Sequence, residues 1–259
     1  MELGLKGRTA VVTGASRGIG LAVVRALVDA GAQVVAGARG SSPELDDLAV
    51  TGAVRVLGVD LSEPGGPDRL VEFAGGRVDV LVNNVGAAPA RTSGFLEVDD
   101  EMWRATFALN LMPAVRTTRA VLPGMLDAGR GAIVTVASVN ARLPDPAVID
   151  YSAAKAALVA FSKALSKEVG PRGVRVNTVS PGPVATALWL GAGGVADELA
   201  AASGTDRDEV VAQARQSMVT GRFSTPEEVA AVVAFLAGDV SGNLTGADVT
   251  IDGGLVPTW

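Results

Sequence analysis

The chain contains no cysteine, no histidine and a single tyrosine in 259 residues. Without cysteine there is no disulfide and no thiol nucleophile. The absence of both also excludes zinc sites of the usual Cys/His kinds and the Ser-His-Asp mechanism. Proton transfer near neutral pH is left to a carboxylate, a lysine, the one tyrosine or a cofactor. Mean hydropathy is positive, yet no stretch approaches the ~20 uninterrupted apolar residues of a spanning helix. No run rich in lysine or arginine occurs and the net charge is −6, so neither nucleic acid nor an anionic membrane is an expected partner. The first residues, MELGLKGRTAVVTGA, lack the long apolar region of a signal peptide, and a cytoplasmic protein is expected.

Hydrophobic residues make up 48% and charged residues 19%, enough for a buried core and too apolar for disorder. Short β-branched runs at 9–13, 33–37, 53–59, 78–83, 131–138, 173–180 and 247–251 predict strands. They are apolar nearly throughout, as strands of a parallel sheet covered on both faces are. Amphipathic stretches at 18–31, 67–75, 99–126, 150–170 and 225–238 predict helices between them. The last opens with TPEE: a capping Thr225, Pro226 at the first helical position, then acids. The alternation predicts an α/β fold: one doubly wound, Rossmann-type parallel sheet of about seven strands with helices on both faces. No linker or repeat marks a second domain. Residues 187–221 break the rhythm, and helical patterns in DELAAA and RDEVVAQARQ predict a lid with two short helices.

TAVVTGASRGIGLAVVRAL, residues 9–27, reads as strand, glycine turn and helix. Gly14 permits a sharp turn, while Gly18 and Gly20 let the backbone approach a phosphate and the helix pack close to the sheet. The helix then aims free N–H groups and its positive dipole end at an anion. At the end of the second strand, where an acid would hold the ribose hydroxyl of NAD, stand Ala38 and Arg39. Arg39, with Arg17 inside the turn, suits a 2′-phosphate and favours NADP(H). Asp60 closes the third strand and fits either an adenine contact or a helix cap. VNNVG, 82–86, ends the fourth strand, where doubly wound sheets bind ligands.

Tyr151 and Lys155, at i and i+4 of a predicted helix, face the same way. A phenol with its ordinary pKa of about 10 is a poor proton carrier at neutrality. A neighbouring ammonium is expected to lower that pKa into working range, although the pair taken alone reads rather as a core tyrosine with a snorkelling surface lysine. Ser138 ends the strand just upstream, placed for a hydroxyl to hold a carbonyl oxygen. Asn110 falls mid-helix among apolar residues, a costly position unless its amide is used. SPGPVAT, 180–186, follows the sixth strand and offers backbone to grip a flat amide ring.

With TGASRGIG (13–20), NNVG (83–86), Asn110, Ser138, YSAAK (151–155), PGPVAT (181–186) and LTGADVTIDGG (244–254) in this order, the sequence resembles the short-chain dehydrogenase/reductase family over essentially its whole length. The resemblance implies NADP(H)-dependent hydride transfer between a nicotinamide and a ketone or secondary alcohol. It implies Tyr151 as general acid or base, Lys155 as ribose ligand and modifier of the tyrosine, Ser138 as holder of the substrate oxygen, and Asn110 as the site of a relay water. Ser16, Arg17, Ile19, Arg39, Asp60, Leu61, Asn84, Gly86, Pro181, Gly182, Val184 and Thr186 complete the implied cofactor contacts, with the three glycines of the turn. It also implies a homotetramer (or dimer) with interfaces on 99–126, 150–170 and the C-terminal segment. Val85 stands where the family often has alanine. Apolar Leu188, Trp189 and Leu190 at the start of the lid suit either an apolar ligand or packing on the body of the protein, whereas Met102, Trp103 and Phe107 have core spacing. A dinucleotide-holding sensor without turnover would be expected to lack the Ser/Tyr/Lys set, which is complete here.

Overall fold

The computed structural model describes residues 2–258. The β-branched runs form β1 (Thr9–Thr13), β2 (Gln33–Ala38), β3 (Val54–Gly58), β4 (Val80–Asn83), β5 (Gly131–Val136), β6 (Val174–Pro181) and β7 (Asp248–Ile251). All pair in parallel in the order β3-β2-β1-β4-β5-β6-β7. Each predicted strand is present to within two residues at either end. The chain winds outward from β1 to β3, then returns to β4 beside β1. That reversal opens a crevice at the carboxyl ends of β1 and β4.

The helices are α1 (Gly18–Asp29), α2 (Pro43–Val50), α3 (Gly66–Phe73), α4 (Asp100–Asn110), α5 (Met112–Asp127), α6 (Ile149–Val169), α7 (Ala187–Leu190), α8 (Val195–Ser203), α9 (Arg207–Gln216) and α10 (Pro226–Ala237). Successive strand residues point to opposite faces. Thus Val12, Ala36, Val82 and Val134 join one core cluster with α1 and α10. Val11, Val35, Leu81 and Ile133 join another with α3, α5 and α6. Both faces are covered, which is why the strands read as apolar runs rather than alternating ones.

Capping chemistry sets several helix starts. Thr225 and Glu228 form a reciprocal capping box at α10, with Pro226 first, as the TPEE signal predicts. The same signal starts α2, where the Ser42 hydroxyl accepts from Leu45 N and Pro43 follows. The helix expected over 99–126 divides at Leu111 into α4 and α5. Pro113 has no N–H to offer the carbonyl four residues back, so the ladder lapses there. Asn110 therefore ends a helix instead of lying within one.

Residues 187–221, expected to form a lid with two short helices, hold three. Ala196, Val211, Met218 and Phe223 form a small core, against which Trp189 and Leu190 pack. The Trp189 and Phe223 rings lie 5.2 Å apart.

Candidate active site

The glycine turn is built by contact, not only by flexibility. Gly14 and Gly18 adopt φ +65° and +55°, in the left-handed region that favours glycine. A Cβ on Gly20 would fall 2.1 Å from the Gly14 carbonyl oxygen and 2.6 Å from Asn84 Nδ2. The Asn84 amide donates to the carbonyls of Thr13 and Gly14 at 3.2 and 3.1 Å, and the Thr13 hydroxyl accepts from Asn84 N at 2.9 Å. Asn84 thus braces the turn from across β4. Arg17 supplies no side-chain cap to α1, so that helix presents orphan N–H groups and its positive dipole end to the crevice. Ser16 and Ile19 lie half-buried in this turn, and Arg17 is exposed.

Arg39 is exposed at the end of β2. Asp60 Oδ1 accepts from Ser62 N at 2.9 Å and Ser62 Oγ at 2.6 Å. These bonds hold its carboxyl below the usual range, with a further pull from the Arg39 charge. The same bonds close a turn onto Ser62 and cap no helix, since α3 begins after Gly65 without a side-chain cap. Leu61 beside it is buried.

The loop after β6 reaches the same turn. Gly182 N donates to Ile251 O at 3.0 Å, and Ser224 exchanges backbone bonds with Pro183 and Ala185. Pro181 and Val184 are buried. Across the crevice, a Cβ on Gly18 would sit 3.3 Å from the Thr186 methyl, so the glycine turn and the PGPVAT loop face each other.

Tyr151 and Lys155 share the first turns of α6. Lys155 is 3% exposed, with Nζ 5.6 Å from the centre of the Tyr151 ring and bonded to Val136 O at 3.0 Å. Burial depresses its pKa to about 8. Burial pushes the Tyr151 phenol up, and the nearby Ser138 hydroxyl pulls it part of the way back. Burial outweighs the acidification expected from Lys155, and the phenol lies above its ordinary value. A low-dielectric pocket favours the neutral form of both groups, and Lys155 Nζ is spent on a backbone carbonyl over the ring. The Ser138 hydroxyl also accepts from Asn140 N at 3.2 Å.

Asn110 is 1% exposed. Its Oδ1 accepts from Ala87 N at 3.1 Å, and its Nδ2 donates to the carbonyls of Ala87 and Thr106 at 3.0 and 3.1 Å. The amide is used, as burial demands, but on the loop after β4. A Cβ on Gly86 would lie 2.9 Å from Asn110 Oδ1 and 3.2 Å from Lys155 Nζ, so these three residues converge.

Sequence reasoning passed over Arg91, Thr106 and Asp150. Asp150 is fully buried immediately before Tyr151, and takes Arg91 at 2.6 Å. Burial pushes its carboxyl up, but the bonds from Arg91 and Thr106, the Arg91 charge and the Tyr151 N–H together hold it below its ordinary value. The only signal was an acid in the first turn of a helix. Trp189 and Leu190 turn inward to the small core of Ala196, Val211, Met218 and Phe223, leaving Leu188 47% exposed. The core spacing of α4 is misleading too: its buried residues are Thr106 and Asn110, while Met102 is 38% exposed.

A family model described as enoyl-(acyl carrier protein) reductase matches residues 14–256. The chain is 38% identical over 255 residues to the short-chain reductase protein NovJ of Streptomyces niveus, covering 95% of this chain and 92% of that one. It is 34% identical over 259 residues to the 3-oxoacyl-[acyl-carrier-protein] reductase of Escherichia coli, covering 98% and 99%. Among solved structures, L-sorbose reductase from Gluconobacter frateurii, complexed with NADPH and L-sorbose, superposes with a TM-score of 0.89 at 36% identity over the whole of both chains. With the matching motifs gathered at one crevice, the chain belongs to the short-chain dehydrogenase/reductase family.

Proposed function

We propose that the protein is an NADP(H)-dependent oxidoreductase that interconverts a ketone and a secondary alcohol, with Tyr151 moving the proton. The carrying observation is the placement of Ser138, Tyr151 and Lys155 together beside the braced glycine turn. The residues fit the cofactor. Gly14, Ser16, Gly18, Ile19 and Gly20 form a cradle that a Cβ would fill at Gly20, the start of α1 has no side-chain cap, and Arg17 and Arg39 are exposed. Arg17 and Arg39 would hold the 2′-phosphate, Asp60 and Leu61 the adenine end. Asn84 and Gly86 would line the middle, and Pro181, Gly182, Val184 and Thr186 the carboxamide. NADPH is bound by the L-sorbose reductase to which this chain is similar.

Bound NADPH supplies the hydride. In reduction Tyr151 donates its proton to the carbonyl oxygen, which the Ser138 hydroxyl holds by a hydrogen bond. The raised phenol pKa keeps that proton in place at neutral pH, as a general acid requires. Lys155, with its pKa near 8, is mostly charged at neutrality. Its charge, 5.6 Å from the centre of the ring, stabilises the phenolate left behind by about 3 kcal/mol at that separation and an effective dielectric of 20. In oxidation the same phenolate accepts the proton back. Asn110 holds the loop after β4 against Lys155 and ends α4 where a relay water would bind.

The test is a panel of ketones (a 3-oxoacyl thioester, a 3-oxo ester, a ketose) with NADPH consumption followed by absorbance. Tyr151→Phe is expected to lose at least about a hundredfold in kcat while NADPH binding stays nearly intact. A Phe variant that keeps most of the rate removes Tyr151 as proton donor. The 3-oxoacyl and ketose arms separate the substrate classes named for its relatives. A cytoplasmic homotetramer is the setting the family resemblance supports. Light scattering that returns a monomer mass removes the tetramer. Among the described residues no helix is long and apolar enough to cross a membrane.

A further inference from the structure

We propose that Asp150, clamped by Arg91 and Thr106, is the positioning device for Tyr151, so that the buried cluster sets the aim of the proton donor. The inference rests on the function proposed above. Asp150 Oδ2 accepts from Arg91 Nε at 3.0 Å, Arg91 Nη2 at 2.6 Å and Thr106 Oγ1 at 2.7 Å. Its Oδ1 accepts from Tyr151 N at 3.0 Å. The first N–H groups of a helix lack intrahelical partners, and Val148 gives α6 no side-chain cap. Asp150 therefore satisfies the orphan N–H of the tyrosine itself, and its charge suits the helix N-terminus.

The clamp reaches Tyr151 from two other elements. Arg91 lies on the loop after β4, and its backbone N donates to Ala147 O at 2.6 Å, so this loop is stitched twice to the segment that leads into α6. Thr106 lies on α4. Its hydroxyl donates to Asp150, and its carbonyl accepts from Asn110 Nδ2 at 3.1 Å. One turn of α4 thus fixes both the backbone at Tyr151 and the amide of Asn110.

A buried ion pair is a poor device for stability alone, because desolvation offsets its attraction and an apolar pair of similar volume often serves as well. What it supplies is geometry. Arg91 is 15% exposed and Asp150 fully buried, and two guanidinium N–H groups and a hydroxyl converging on the one oxygen Oδ2 admit few arrangements. The pair holds the residue adjoining Tyr151 in one position before substrate arrives. A displacement of about 1 Å in a reacting group can cost about a hundredfold in rate.

The test uses full-length Asp150→Asn, the charge-free double variant Arg91→Met/Asp150→Leu, and the mild Thr106→Val. Turnover is measured on the panel ketone that the parent reduces fastest, with NADPH affinity from fluorescence titration. Because Tyr151 is the only tyrosine, ¹³C-tyrosine labelling gives an NMR ring signal from this residue alone. In the two Asp150 variants we expect kcat to fall about tenfold to a hundredfold. KM for NADPH should stay within about twofold, stoichiometric NADPH should still bind, and the Tyr151 signal should shift or broaden. Thr106→Val should move the same way by about threefold. Should the Asp150 variants not fold, Thr106→Val decides; should no panel ketone be reduced, the NMR signal decides. The proposal is overturned by kcat within about twofold of the parent in the folded variants. It is also overturned by an unmoved Tyr151 signal, or by a loss of kcat matched by an equal loss of bound NADPH. Tyr151→Phe separates the two levels: an active Phe variant defeats the proton-donor role, whereas an inactive one beside unaffected Asp150 variants defeats the positioning role alone.

Discussion

Replacing Lys155 by methionine is expected to stabilise the protein and disable it. Lys155 is 3% exposed, and burial carries its pKa from 10.5 to about 8. An unfolded lysine keeps its proton up to its ordinary pKa, whereas the folded one releases it near 8. Below that value both states carry the charge, and the folded state bears the whole desolvation penalty, about 3 kcal/mol at neutral pH. Through the interval up to 10.5 the unfolded state binds more protons, so stability rises with pH and the penalty disappears. Methionine keeps the stem and its apolar contacts. It strands the Val136 carbonyl, which loses its 3.0 Å donor at a cost of about 1–3 kcal/mol. The balance is a gain of about 1 kcal/mol near neutrality, or roughly 2–4 °C in Tm. Urea unfolding, followed by tryptophan fluorescence at neutral pH and above 10.5, measures it. The variant should lead at neutrality and trail in alkali, where the parent is uncharged and still has its hydrogen bond. Activity should fall about a hundredfold, the rate equivalent of the phenolate stabilisation lost. A stability difference that does not change with pH would refute the burial penalty.

Other perturbations probe the cofactor cradle and the proton. Gly20→Ala places a methyl 2.1 Å from the Gly14 carbonyl, a backbone contact that cannot swing away. A loss of about 1–3 kcal/mol in stability, with NADPH binding abolished, is expected from melting and fluorescence titration. Arg39→Asp puts a carboxylate at the expected 2′-phosphate and beside Asp60. NADPH affinity should fall about tenfold to a hundredfold while NADH binding holds or improves, and unchanged selectivity would move attention to Arg17. The pH profile should differ by direction. Reduction should stay level through neutrality, because the raised phenol remains protonated, and decline above about 8 as Lys155 loses its charge. Oxidation, which needs the phenolate, should climb as pH rises through neutrality, and an oxidation rate that falls there would contradict the assignment.

The strands, the glycine turn, the capping box of α10 and the Tyr151–Lys155 spacing were legible in the sequence. Each is local: periodicity, backbone freedom and one helical turn act over a few residues. The break between α4 and α5 was equally local, since Pro113 was in view. It was missed because the apolar pattern continues across it. The start of α2 was missed although Ser42-Pro43 carries the same signal as Thr225-Pro226. Asp150 could be seen only as an acid near a helix start. Its partner Arg91 lies 59 residues away, and no local rule joins them.

By itself, the sequence determined the order of elements, the kind of cofactor loop and the roster of groups able to move a proton, because these follow from residue type and short-range spacing. Tertiary structure alone decided how those groups are solvated and aimed: Lys155 on the Val136 carbonyl, a phenol less acidic than usual, the inward turn of Trp189, and the clamp on Asp150. The reason is that desolvation and pairing depend on what the rest of the chain brings within a few ångströms, and burial of that kind is a property of the whole fold.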